Sequence, residues 1–165
     1  PRGRLINLIV VGLLILAAII VLTSPSSPLA PWLSPVDYDN TTVTAVEDNG
    51  TPIQTFSVRV ADTEHEKFIG LSETQSLGKN DGMLFVHDTP DTYTYVMRDM
   101  SFPIDIIFID ENGTITSIHH APLPADSPTK YRGQGQFVLE INYGRTNETG
   151  IDVGDRIAIP DSVAR

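Results

Sequence analysis

The chain has 165 residues, enough for one globular domain of ~100–200 residues and a tail. Eleven Lys and Arg stand against 21 Asp and Glu, a formal net charge of -10, which argues against a nucleic-acid partner because phosphate contacts need a basic face. With no cysteine, disulfides, zinc-thiolate sites, iron–sulfur clusters and thiol nucleophiles are excluded.

The chain opens on Arg2 and Arg4, then Leu5–Leu22, LINLIVVGLLILAAIIVL, without one charged side chain. At ~1.5 Å per residue a helix of this length spans roughly the ~30 Å hydrocarbon core of a bilayer. With basic residues only before it, the positive-inside rule puts residues 1–4 in the cytoplasm and the rest outside. The expectation is a single-pass signal anchor in the cell membrane. The alternative is secretion after signal cleavage, but the apolar run is longer than a usual signal core and Pro25 and Pro28 spoil most cleavage points. Residues 23–35, TSPSSPLAPWLSP, hold four prolines and four serines and read as a semi-rigid spacer. Trp32 suits either the membrane interface or packing on the domain.

From Val36 onward there are 21 acids and 9 bases, a net of -12, drawn from an Asp-rich, Lys-poor composition. Such a surface repels itself and suits high salt, where the repulsion is screened, so a halophilic source is expected ahead of the alternative, an ordinary acidic secreted domain.

Residues 36–165 read as one extracytoplasmic β-rich domain. Thr41–Val46 and Ile53–Val60 form a hairpin around the turn signal Asp48-Asn49-Gly50. In Asp62–Leu71, Thr63 and Glu66 have capping-box spacing, which predicts a short helix. Met83–His87 and Tyr93–Met97 are strand candidates. Ile104–Asp110 is the strongest strand, and Glu111-Asn112-Gly113 turns it into Thr114–His120. Residues 121–135 read as a long loop. Phe137–Asn142 and Arg156–Ile159 complete the strands, with Gly144–Gly150 a turn or single helical turn. The fold class is mainly β (α+β): a compact antiparallel barrel or roll of about eight short strands with one or two helices, preceded by one transmembrane helix.

Three blocks carry a resemblance: Gly70-Leu71 with Gly82-Met83-Leu84-Phe85-Val86; the run Tyr95–Asp110; and Phe137-Val138-Leu139-Glu140 with a closing Gly154-Asp155. Together, over roughly residues 55–160, they resemble the domain of unknown function family 192 (DUF 192). The resemblance implies a compact β fold and no particular reaction. Where that family typically has Met and a downstream Arg after Gly-Leu, this chain has Ser72 and Thr74 or Gln75. Its Trp-Met-Lys-Asn appears here as Val96-Met97-Arg98-Asp99.

The densest chemistry lies in Met97-Arg98-Asp99 ahead of Phe102-Pro103-Ile104-Asp105. Arg98 can grip a carboxylate with its planar fork, either that of an acidic ligand or Asp105 itself. On a period of two, Asp105 shares a face with Ile107 and Ile109, and a buried carboxylate there needs a partner. Arg132 and Glu140 complete a candidate ligand-binding set of Arg98, Asp105, Arg132 and Glu140. Glu140 alternates with Leu139, so it faces solvent or meets Arg98 or Arg132 in a cleft. His119 and His120 are neighbours on a strand and point to opposite faces, and His65 and His87 lack ligand spacing, so no metal is expected. No nucleophile elbow or phosphate-cradling loop is present, and no cofactor is expected. Asn40, Asn49, Asn112 and Asn147 begin N-x-[ST] sequons and are candidates for N-glycosylation, although Asn-Gly turns running into Thr-led strands account for two of them. The leading reading is a membrane-anchored binding or accessory domain for a small polar ligand, glycan or envelope protein. A hydrolase using Asp105 and Glu140, and a purely structural envelope module, are the alternatives.

Overall fold

A computed structural model describes residues 35–124 and 129–164. The expected cytoplasmic stretch, transmembrane segment 5–22, and the spacer up to residue 34, Trp32 included, lie outside the described residues. The chain divides into a unit ending at Asp37 and a second running from Tyr38. Among the described residues no helix is long and apolar enough to cross a membrane.

The elements are β1 (Asp39–Val46), β2 (Pro52–Ala61), α1 (Glu64–Ile69), β3 (Asp81–Val96), β4 (Ile104–Ile109), β5 (Ile115–Ala121), β6 (Lys130–Asn142), α2 (Arg145–Thr149) and β7 (Arg156–Ala158). The seven described strands form one sheet in the order β5-β4-β6-β3-β2-β1-β7. The sheet curls into a half-barrel whose two edges meet at one end. There the Ile115 amide donates to the Asp155 carbonyl at 2.8 Å, and the Ile157 amide to the Gly113 carbonyl at 2.8 Å.

Two expectations need correction. The sheet is not wholly antiparallel, because β2 and β3 run parallel. A chain that leaves β2 through α1 crosses back before re-entering the sheet, and such a crossover delivers a parallel strand. The described residues form seven strands, not about eight. Met83–His87 and Tyr93–Met97 belong to the single long β3, which keeps pairing with β6 across a register shift between Val86 and Asp91. The same pairing draws residues 130–135, read as loop, into β6.

Both faces of the sheet are buried. One apolar cluster gathers Val43, Phe56, Val58, Leu84, Ile107, Ile109, Phe137, Leu139, Ile141 and Ile157. The other gathers Leu71, Met83, Phe85, Met97, Ile104, Ile106, Phe108, Tyr131 and Val138. The period-two alternation of β4 thus sends Ile107 and Ile109 one way and Ile106 and Phe108 the other. At roughly 25 cal/mol per Å² of apolar area removed from water, each of these large side chains contributes about 1.5–3 kcal/mol.

The second face is covered by the outer half of the β3–β6 pair, which folds back over β4 and β5. Thr116 Oγ1 donates to the Gln134 carbonyl, and His119 Nε2 lies 2.9 Å from the Arg132 carbonyl. Glycine permits this approach. A Cβ at Gly133 would stand 2.2 Å from Phe108 Cγ, and one at Gly135 would stand 2.4 Å from the Ile109 carbonyl oxygen.

Candidate functional site

The helix α1 begins where the sequence says it should. Thr63 Oγ1 accepts from the Glu66 amide at 3.2 Å, and Glu66 Oε2 accepts from the Thr63 amide at 2.9 Å. It ends at Gly70, whose φ of 52° favours glycine and whose amide donates to the Glu66 carbonyl at 2.7 Å. A pocket of about 280 Å³ opens between this element and the outer half of β3. Lys67 to Ser72 form one wall, His87 and Tyr93 to Val96 another, and Phe85, Arg98, Met100, Ile104 and Glu140 complete it.

Glu140 lies deepest among the polar groups, 6% exposed. It sits in the middle of β6, and its cross-strand neighbours on the same face are Met83 of β3 and Ile106 of β4. Neither offers a hydrogen bond, and among the described residues no donor or cation reaches its carboxyl. Loss of hydration therefore pushes its pKa up to about 8, so that it holds a proton at neutral pH. A neutral carboxylic acid is both donor and acceptor.

Beside it stands an aromatic group. Tyr95 Oη lies 3.0 Å from His87 Nε2, and the His87 ring stacks on Tyr93 at 3.5 Å. Burial raises the Tyr95 pKa well above its ordinary value, reinforced by the Glu140 and Tyr93 charges. Burial, helped by the Lys67 ammonium, lowers that of His87 to about 4, so the imidazole is neutral. Lys67 is held by Glu64 at 2.8 Å and by the Val86 carbonyl at 3.4 Å.

Arg98 stands at the mouth with its side chain 42% exposed. Its guanidinium lies 4.1 Å over the Phe68 ring and donates to the Phe68 carbonyl. Its carboxylate neighbour is Asp99 at 3.8 Å. Asp99 has a φ of 55°, a left-handed conformation that Asp and Asn tolerate best among non-glycine residues.

Of the four residues expected to form a ligand set, the structure brings two together. Arg98 and Glu140 line the same pocket; Arg132 is exposed outside it. Asp105 lies on the opposite face of the sheet. It stands opposite Ile141 in the ladder, whereas Ile106 stands opposite Glu140. The acid–base pair that a hydrolase would need is therefore split by the sheet, and the ion pair weighed for Asp105 with Arg98 is not formed. Asp105 is fully buried and engaged otherwise. Its Oδ1 contacts His120 Nδ1 at 2.7 Å and accepts from the Gly144 amide at 2.9 Å. Its Oδ2 accepts from the Thr146 amide at 3.0 Å and the Thr146 hydroxyl at 2.8 Å. It anchors the start of α2 rather than a ligand.

His119 and His120 do point apart: His119 packs against Phe108 and Tyr131, and His120 bonds Asp105. Among the described residues no three His, Asp or Glu side chains gather as metal ligands. Asn40, Asn49, Asn112 and Asn147 are all exposed. Asn49 Oδ1 accepts from the Thr51 amide at 2.8 Å, the turn-forming role of an Asn before Gly-Thr.

Sequence reasoning did not assign Lys67, His87, Tyr93 and Tyr95 to the site. The alternation Tyr93-x-Tyr95 in a strand was the available signal, since it puts both rings on one face.

The chain belongs to the DUF 192 family, described as an uncharacterized ACR, whose profile matches residues 44–159. Two solved structures share the fold. One is a protein from Sinorhizobium meliloti proposed to be a transcription regulator, 26% identical, with a TM-score of 0.68 over 75% of this chain and 96% of that one. The other is a protein of unknown function from Novosphingobium aromaticivorans, 29% identical, with a TM-score of 0.65 over 79% of this chain and 96% of that one. None of the curated proteins matches the chain.

Proposed function

We propose that this DUF 192 domain is a binding module, held outside the membrane by residues 5–22, whose ligand is a small polar molecule taken up in the Glu140 pocket. The observation that carries the reading is Glu140 itself: a carboxyl buried in mid-strand that lines an open pocket, with burial the cause of its raised pKa and no neighbouring charge among the described residues offsetting it. Burying a polar group unpaired costs stability, and a ligand that satisfies it recovers that cost. A net charge of -12 from Val36 onward disfavours a nucleic-acid partner.

A thermal-shift screen of small polar compounds tests the pocket. A compound that binds should raise the melting temperature of wild type and leave Glu140→Leu unmoved. Arg98→Ala should cost the free protein no more than ~1 kcal/mol, since its contacts are exposed, yet lose much of the ligand-induced shift. A destabilised Arg98→Ala, with no compound stabilising the wild type, would defeat the reading.

For the tether, carbonate washing of membranes should leave the protein in the pellet at full mass plus any N-glycan at the exposed sequons. Release into the soluble pool without the first ~25 residues would favour cleavage instead. For the acidic surface, the melting temperature should rise from low to molar KCl, and an unchanged value would show that charge repulsion does not limit folding.

A further inference from the structure

The charges around the pocket discriminate between ligand classes. The residues that line it include two cations, Lys67 and Arg98, and one acid, Glu140. That acid is protonated at neutral pH and so carries no charge to attract a cation. His87 is neutral as well. A cationic ligand would pass two positive side chains and meet no anion in the lining, because Glu64 and Asp99, the carboxylates beside those cations, lie outside it. An anion would be drawn chiefly by Arg98, since Lys67 is already paired with Glu64.

The two cations differ in availability. Lys67 is nearly buried and already held by Glu64 and the Val86 carbonyl. Arg98 donates to the Phe68 carbonyl, but its carboxylate neighbour is the exposed Asp99 at 3.8 Å, which a ligand carboxylate can displace at little cost. The stacking of Arg98 on Phe68 fixes the plane of its fork. Deeper in, the walls are apolar and aromatic: Ile69, Leu71, Phe85 and Ile104. At the floor the Glu140 O–H needs an acceptor, and its carbonyl oxygen can take a donor.

We propose, resting on the reading that this pocket binds a ligand at all, that its ligand is a small organic carboxylate with a flat or apolar body. The carboxylate pairs with Arg98 at the mouth, and a hydroxyl or carbonyl at the far end meets Glu140. Arg98 supplies charge recognition and Glu140 supplies length selection. A shorter acid, or one without the distal polar group, leaves Glu140 unpaired.

Four probes of one ring size test this on the full chain by thermal shift and calorimetric titration: 4-hydroxybenzoate, benzoate, 4-hydroxybenzylamine and glucose. The expected order puts 4-hydroxybenzoate first, with benzoate about tenfold weaker for want of the distal hydroxyl, and no binding by the amine. Arg98→Lys should weaken the hydroxybenzoate about tenfold or more, since an ammonium lacks the fork. Glu140→Leu should abolish the difference between the two acids while leaving benzoate binding. Equal binding of the two acids to wild type would overturn the role of Glu140. If the amine or glucose stabilises wild type but not Glu140→Leu, the pocket stands as a binding site and the carboxylate inference falls. If no probe stabilises wild type, the inference and the pocket reading fall together.

Discussion

Asp105→Ala should cost about 3–5 kcal/mol, a fall in melting temperature on the order of 10–20 °C for a domain of this size. The carboxylate is fully buried and takes hydrogen bonds from the Gly144 amide, the Thr146 amide and the Thr146 hydroxyl, with His120 Nδ1 at 2.7 Å. Truncation removes these contacts at once and leaves the first amides of α2 without acceptors. The α2 helix has no cap from its own side chains, because Gly144 stands at its N-cap. Asp105 takes that place from the neighbouring strand β4, accepting from the Gly144 and Thr146 amides. Removing single partners should be milder. Thr146→Val deletes one of the donors, and His120→Ala deletes a group whose side chain is 38% exposed, so each should cost about 1 kcal/mol. Urea melts of the three variants check the ranking. An Asp105→Ala variant no less stable than His120→Ala would show that the contacts to α2 do not hold the fold.

This role of Asp105 was legible in part. Its need for a partner followed from a carboxylate set among isoleucines. The partner itself lay one step further, in the hairpin register. Counting outward from Asn112-Gly113 brings Asp105 opposite His120, as the ladder has it. Arg98 drew attention instead because it is nearer in sequence, and nearness in sequence says nothing of the face a side chain takes.

The same contrast runs through the fold. The hairpin at Asp48-Asn49-Gly50, the capping box of Thr63 and Glu66, and the buried β4 are local features, fixed by turn chemistry and period. The continuity of β3 through Asp88-Thr89-Pro90-Asp91 is not local. It depends on β6 lying alongside, and a Pro within a run ordinarily signals a break. Because that long pair folds over β4, it carries Tyr93 and Tyr95 to Glu140, and the pocket cannot be read from any one segment. Gly133 and Gly135 look like loop residues in sequence. In the structure they are the places where backbone passes over Phe108 and Ile109.

Glu140→Gln should stabilise the domain, and increasingly so as pH rises. An ordinary carboxyl ionises near 4.5, whereas burial pushes that of Glu140 up to about 8. Between those values the unfolded chain has lost the proton and the folded one keeps it. Stability therefore falls with rising pH by about 1.4 kcal/mol per unit, on the order of 3–5 kcal/mol across the window. His87 works in the opposite sense. Its pKa is lowered from 6.5 to about 4, so the unfolded chain takes up a proton below 6.5 that the folded one refuses. Its contribution is complete above 6.5 and is lost as pH falls towards 4. The two trends oppose each other between about 4.5 and 6.5, where wild-type stability should vary little. Above 6.5 only Glu140 acts, and stability should fall by about 2 kcal/mol by pH 8. Glutamine keeps the size and the hydrogen-bonding capacity but cannot ionise. Glu140→Gln should instead gain stability from pH 4 to 6.5 and then hold level. Glu64 and Glu66, whose pKa values are lowered by Lys67 and by the capping-box hydrogen bonds, act alike in both proteins and cancel in the difference. Urea melts at half-unit steps from pH 4.5 to 8.5 supply the two curves. Parallel curves would mean that Glu140 ionises freely in the folded protein, and with that the pocket would lose the neutral acid on which its choice of ligand depends.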